Sequence, residues 1–343
     1  MRALILHGPD DVRLDDIPCP EPGPGELVIR IAVALTCATD RKILARGFHP
    51  SIGPVPAPFG HEGAGTVVAV GAGRGGFAPG DRVVPANSAP CGACEWCLAG
   101  RAGLCEDIAY LSGTYAEYLR IPAPIARVNV LPVPDGLDWG LAALAEPVAC
   151  GVRGAERSRV RPNEQVIILG GGLQGQVLCA VLARRGCRVV VCDPHPERRE
   201  LALRMGAEET GDAPRDADTL TRLRSRTPGG YGAHATFAAV GTVAVWEQAV
   251  ALTRPGGEVN LHGGPAPGEI LAVPAERLHY EELTLQSSYH HTPATFRAAL
   301  EMINADRDLF RGLLGDEIRL EDVADALVVG GPKRIVHPGP RRH

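Results

Sequence analysis

The residues best suited to chemistry meet at Gly60-His61-Glu62-Gly63-Ala64-Gly65. An imidazole and a carboxylate stand side by side there, and both are good ligands for a borderline metal such as zinc. The flanking glycines let the backbone turn tightly and let another strand come close. Cys37 upstream and Glu146 downstream add a thiolate and a second carboxylate. Cys37, His61 and Glu146 would supply one sulfur, one nitrogen and one oxygen, which with an open position is what a catalytic zinc needs. Glu62 would then be a fourth, exchangeable ligand or a group just behind the metal. Each also has an ordinary alternative: Cys37 follows a buried strand and fits a core cysteine, and Glu146 fits a carboxylate on a helix surface.

A second cluster, Cys91-x2-Cys94-x2-Cys97-x7-Cys105, is more specific. Four thiolates at short spacings close a tetrahedral zinc site and leave no room for a substrate, so this site would be structural. Residues 86–110 show little apolar periodicity, and a metal staple explains how such a segment holds together. A third signal is the glycine-rich turn Gly170-Gly171-Gly172-Leu173-Gln174-Gly175 between an apolar strand and an amphipathic helix, with Asp193 at the end of the next strand. That is the dinucleotide context: Gly170, Gly172 and Gly175 let the backbone approach a pyrophosphate, whose charge the helix N-terminus favours. Asp193 would accept from the ribose hydroxyls and so favour NAD over NADP, whose extra phosphate it repels. Arg198 and Arg199 keep NADP open, since either would suit that phosphate.

The elements around these residues fall into two classes. Up to about residue 137 the chain reads as short strands and turns, including Leu27–Leu35, which delivers Thr36-Cys37-Ala38-Thr39-Asp40 at its end; this frequency suggests a small barrel-like β domain. Asp40 fits a helix cap or an acceptor behind a metal ligand. Residues 137–157 read as helix, kinked or restarted at Pro147. Strands then alternate with helices to about residue 287, which indicates a parallel, doubly wound sheet. The fold class is therefore α/β, a β-barrel domain plus a doubly wound one.

The composition excludes some functions. The 343 residues carry a formal net charge of -5, with 45% hydrophobic and 22% charged residues, so no basic face invites a nucleic acid and no membrane partner is expected. No apolar run reaches the roughly 18 residues that span a bilayer, and the N-terminus is too short in apolar residues for a signal peptide. The expected place is the cytoplasm, where cysteines serve as metal ligands or buried thiols; Cys19, Cys150, Cys179, Cys187 and Cys192 read as buried small residues. His290 and His291 stand in a stretch that suits a structural or exposed role more than contact with a substrate. The tail from Pro338 reads as disordered.

Cys37-Ala38-Thr39-Asp40, Gly60-His61-Glu62, the four-cysteine lobe, Glu146-Pro147 and the glycine-rich turn, in this order, resemble the zinc-dependent medium-chain dehydrogenase/reductase superfamily over essentially the whole chain. Glu146-Pro147 looks like its polyol (sorbitol) and threonine dehydrogenase branch. The resemblance implies a GroES-like catalytic domain over 1–148, completed by 289–343, and a Rossmann NAD-binding domain over 149–288. It implies a catalytic zinc on Cys37, His61 and Glu146 with Glu62 near or on it, and a structural zinc on Cys91, Cys94, Cys97 and Cys105. Thr39 would pass the alcohol proton outward and Asp40 would orient His61. Val240-Gly241 and His262-Gly263 would line the cofactor cleft. The implied reaction is hydride transfer between NAD and a secondary alcohol or ketone, such as a polyol, sugar, cyclitol or amino alcohol, in a homodimer or homotetramer. The rivals are a zinc-free quinone or enoyl reductase, a redox-neutral epimerase or an NADP-dependent reductase on the same fold, and a non-catalytic cofactor-binding regulator.

Overall fold

The Leu27–Leu35 strand is buried at all but two of its positions and has neighbours on every side that matter to the site. In the computed structural model, which describes residues 1–73, 75–329 and 331–339, it pairs antiparallel with Gly63–Val70, Tyr118–Ile121 and Lys333–His337. The sheet runs Val130–Pro132, Arg82–Pro85, Gly63–Val70, Leu27–Leu35, Lys333–His337, Leu314–Arg319, and Tyr118–Ile121 joins it on Leu27–Leu35. A smaller sheet of Arg2–Gly8, Asp11–Asp16 and Ala57–Pro58 packs with it. Their shared core holds Leu6, Leu27, Ile29, Phe59, Tyr115, Ile121 and Val336, all essentially without solvent contact. Such wall-to-wall burial of branched and aromatic side chains is what makes short strands cohere.

The chain divides into two compact units, Met1–Ala149 with His291–His343, and Cys150–His290. The sheet above belongs to the first. The second is a six-stranded sheet in the order Glu209–Gly211, Arg188–Cys192, Gln165–Leu169, Ala233–Ala238, Thr253–Leu261, Thr284–Ser287. Every neighbouring pair is parallel. Counting along the chain within this unit, the order is 3-2-1-4-5-6, the Rossmann order, with its topological switch between Gln165–Leu169 and Ala233–Ala238. Both faces are covered, so strands such as Gln165–Leu169 are buried at every position and apolar from Val166 on.

The helical stretch expected at 137–157 is two helices. Asp138 caps Trp139–Ala143 by accepting from the Gly140 and Leu141 amides. A second helix restarts at Ala145–Arg157 with Pro147 in its first turn, where a missing N–H breaks no helical bond. Cys19 is exposed rather than buried, because it sits in the proline-rich loop that has no core to enter; Cys150 is half-buried, and Cys179, Cys187 and Cys192 are buried as expected. The tail reading lies, from residue 340 on, outside the described residues. No helix among the described residues is long and apolar enough to cross a membrane.

Candidate active site

Three neighbouring strands converge on one point of the first unit. Leu27–Leu35 ends there, and Cys37 follows as the N-cap of the Ala38–Arg46 helix. Gly63–Val70 begins there, with Ala34 opposite Gly63 and the Leu35 amide bonded to the Glu62 carbonyl at 3.1 Å. Lys333–His337 begins there too, locked by the Thr36 amide on the Arg334 carbonyl at 3.1 Å and the Arg334 amide on Thr36 Oγ1 at 2.9 Å. Gly60 enters the turn at φ +90°, and a Cβ on it would meet the Tyr115 ring at 2.6 Å, so only glycine fits.

The side chains at this point form a metal-ligand set. One ligand atom each from Cys37, His61 and Glu62 lies within 4.8 Å of the other two. His61 Nδ1 is 2.8 Å from Asp40 Oδ1. A carboxylate only accepts, so Nδ1 carries a proton, and Nε2 is the nitrogen that faces the set and that a metal would take. Asp40 is buried in the first turn of the helix rather than capping it, and its other oxygen is 2.6 Å from the Tyr115 hydroxyl. Burial and the Asp40 charge keep the Tyr115 proton on, so the phenol donates. Burial pushes the His61 pKa down, but the Asp40 charge and bond and the neighbouring Cys37 outweigh it and raise it well above the usual value. Thr39 lies exposed on the same first turn.

Glu62 is buried and split between two duties. One oxygen takes a short hydrogen bond from Lys333, whose ammonium also donates to the Thr36 carbonyl at 3.0 Å. The other, Oε1, is buried with no hydrogen-bond partner, 3.7 Å from His61 Nε2. An unmatched buried carboxylate oxygen is costly, and a cation among Cys37, His61 and Glu62 would satisfy it. Burial opposes the Lys333 charge, yet Glu62 first and Cys37 next outweigh burial and raise its pKa. The residues present therefore fit a zinc. Among the described residues the close set holds Glu62 with Cys37 and His61, and Glu146 lies outside it. Glu146 Oε1 instead accepts from Asn87 Nδ2 at 2.9 Å.

Cys91, Cys94, Cys97 and Cys105 come together as expected, their sulfurs all within 4.8 Å of one another. Cys91 and Cys97 are 3.9 Å apart and Cys94 and Cys105 4.0 Å. These match the edges of about 3.8 Å of a tetrahedron with zinc–sulfur bonds of about 2.3 Å. Hydrogen bonds from the Glu106 and Cys97 amides lower the Cys94 pKa to about 6, so the cluster holds a thiolate near neutral pH.

In the second unit the glycine-rich turn joins the Gln165–Leu169 strand to the Leu173–Arg184 helix, which Gly172 caps without a side chain. A Cβ on Gly175 would lie 1.8 Å from the Gly170 carbonyl oxygen, so the helix can begin only against a bare backbone. Asp193 is buried; its oxygens accept from the Gly171 amide at 2.8 Å and the His195 amide at 2.9 Å. Arg198 lies 3.5 Å from it. Gly241 and Gly263 sit where the turns after Ala233–Ala238 and Thr253–Leu261 touch: a Cβ on Gly241 would meet the Gly264 carbonyl at 1.9 Å. Val240 is exposed against Gly170, whose Cβ it would meet at 2.5 Å. His262 turns inward. Its Nε2 is 2.9 Å from Gln174 Oε1 and its Nδ1 2.8 Å from Ser288 Oγ. Burial lowers its pKa to about 4. His262 thus braces the turn through Gln174.

The alcohol dehydrogenase GroES-like domain family matches residues 23–135, and the zinc-binding dehydrogenase family matches residues 175–305. Sorbitol dehydrogenase of Bacillus subtilis (strain 168) is 29% identical over 338 residues, 95% of this chain and 92% of that protein. L-galactonate-5-dehydrogenase of Escherichia coli (strain K12) is 32% identical over 301 residues, 86% of this chain and 85% of its own. The chain belongs to the zinc-type alcohol dehydrogenase family. A structure from Sinorhizobium meliloti 1021, described as a zinc-binding dehydrogenase and bound to NADP, superposes with a TM-score of 0.87 at 27% identity, covering 98% of this chain and 99% of that one. The protein is accordingly an alcohol-oxidising or ketone-reducing enzyme of the polyol dehydrogenase branch, with a GroES-like domain and a Rossmann-like domain.

Three residues around this site escape sequence reasoning. Tyr115 lies in a strand-poor stretch with no motif, and Asn87 sits between two short strands. Lys333 carried one signal: it is one of only two lysines in an arginine-rich chain. His291 is buried, its Nε2 2.8 Å from Asn87 Oδ1; the neighbouring His290 adopts φ +61°.

Proposed function

We propose that this dehydrogenase oxidises a secondary alcohol bearing neighbouring polar groups, a polyol, sugar, cyclitol or amino alcohol, with NAD as the hydride acceptor and two zincs per chain. The observation that carries it is the set of Cys37, His61 and Glu62 with its unmatched buried carboxylate oxygen. The polyol class rests on the named activities of the relatives. Cys91, Cys94, Cys97 and Cys105 would hold the second, structural zinc.

A zinc bound at Cys37, His61 and Glu62 supplies a Lewis acid that makes loss of a substrate hydroxyl proton easier, and a bound NAD supplies the hydride acceptor. The chain's own groups do the rest. Asp40 holds His61 in the tautomer that offers Nε2, and Tyr115 holds Asp40. Lys333 neutralises half of Glu62 and leaves the other oxygen to the metal. Glu146 would add a fourth donor, a second carboxylate oxygen. Thr39, exposed on the helix turn, both donates and accepts and so suits handing the alcohol proton to water. On the nucleotide side, the buried negative charge of Asp193 disfavours a 2′-phosphate, which supports NAD, while Arg198 at 3.5 Å leaves a route by which NADP is tolerated.

The test is nicotinamide reduction across polyols, sugars, cyclitols and amino alcohols, with NAD and with NADP, before and after chelation. A chelator-sensitive signal on one class, at least about tenfold better with NAD, is expected. Silence across the panel, in protein holding two metals and binding NADH, replaces this reading with a redox-neutral reaction. A preference for NADP replaces the cofactor assignment alone.

A further inference from the structure

We infer that Asn87 is the positioning residue for Glu146, with His291 setting the direction of its amide; this rests on the proposal that Glu146 serves the metal. A carboxylate can only accept, so the Asn87 atom 2.9 Å from Glu146 Oε1 is the amide nitrogen. Its oxygen is then left to face His291 Nε2 at 2.8 Å, and an amide oxygen also only accepts. His291 therefore carries its proton on Nε2. Turning the amide over would set its oxygen against the Glu146 carboxylate, two acceptors with no proton between them. The three side chains have one self-consistent arrangement, His291 to Asn87 to Glu146, which spans 204 and then 59 residues of sequence.

The arrangement is held from both ends. The Leu111 amide bonds the Asn87 carbonyl at 2.8 Å, and the next residue, Ser88, receives the Asn129 amide at 2.6 Å, so Asn87 is fixed between Arg82–Pro85 and Ser88–Ala89. His291 is 3% exposed, its ring 5.8 Å from that of Phe296. It immediately precedes Thr292, the capping-box residue of the Pro293–Ala305 helix. A neutral amide suits this place. It donates to Glu146 without adding charge, so it orients the carboxylate while leaving its negative charge for a metal.

The experiment loads cobalt(II) into the Cys37 site with the lobe zinc retained, and reads the visible d–d spectrum and the cobalt affinity by chelator competition. Four variants are compared with wild type. Asn87→Asp sets a carboxylate against Glu146 and is expected to weaken cobalt by about tenfold or more and shift the bands. Asn87→Ala shifts them the same way by less. His291→Gln keeps an N–H donor toward Asn87 and returns the spectrum to near wild type. Glu146→Ala calibrates the response. If it changes neither spectrum nor affinity, the role of Glu146 at the metal fails and this inference with it. If Glu146→Ala perturbs the cobalt but Asn87→Asp and Asn87→Ala do not, the inference alone is overturned.

Discussion

At the residue scale, the site is set by side chains that each have two bonds to make and one direction in which both can be made. Asp40 is the clearest case: one oxygen takes His61 and the other takes Tyr115, so neither ring can rotate without orphaning a buried group. His262 does the same in the second unit, between Gln174 and Ser288. Its pKa of about 4 lies below the value near 6.5 of an unfolded histidine, so the unfolded chain takes up a proton that the folded one refuses. Stability from this group is intact above about pH 6.5 and is lost as pH falls toward 4. Between about pH 7 and pH 5 the loss is about 2 kcal/mol. Hydrogen-exchange protection of the Thr253–Leu261 strand, corrected for intrinsic rates, is expected to fall by about that amount more in wild type than in His262→Gln.

At the scale of elements, the metal set is a consequence of strand order. Cys37 follows one strand, His61 and Glu62 precede its antiparallel partner, and Lys333 opens the partner on the other side. Antiparallel pairing brings an end and two beginnings to one edge of the sheet, so residues up to 297 apart in sequence become neighbours. The cost of this placement is a buried ion pair. Lys333→Met leaves the Glu62 charge uncompensated and should destabilise metal-depleted protein by about 3–5 kcal/mol in urea unfolding. Adding Glu62→Gln removes the orphaned charge and should recover more than half of that. Recovery of nothing would mean that Lys333 acts through packing and not through its charge.

At the scale of the whole molecule, the two kinds of site belong to different compact units. The four-cysteine lobe lies in Met1–Ala149 and the glycine-rich turn in Cys150–His290. Cys94→Ser should therefore lose one metal per chain and expose residues 91–105 to protease, while the NADH dissociation constant changes by less than about threefold. Metal analysis, limited proteolysis and NADH fluorescence read the three outcomes.

Much of this was legible in the chain itself, for a physical reason. Short-range spacing encodes local geometry: the cysteines at 91, 94, 97 and 105 can close on one ion because tight turns join them, and the turn at Gly170 announces itself because only glycine tolerates the contact of Gly175 with the Gly170 carbonyl. Alternating strands and helices likewise dictate a parallel sheet. What only the tertiary structure decided concerns partners far apart in sequence. Glu62 stands with Cys37 and His61 while bonded to Lys333, and Glu146 is bonded to Asn87. His262 reaches Gln174 and Ser288 because its strand ends beside them. Residue type states what a side chain can bond; which bond it makes depends on which groups folding leaves within about 3 Å of it.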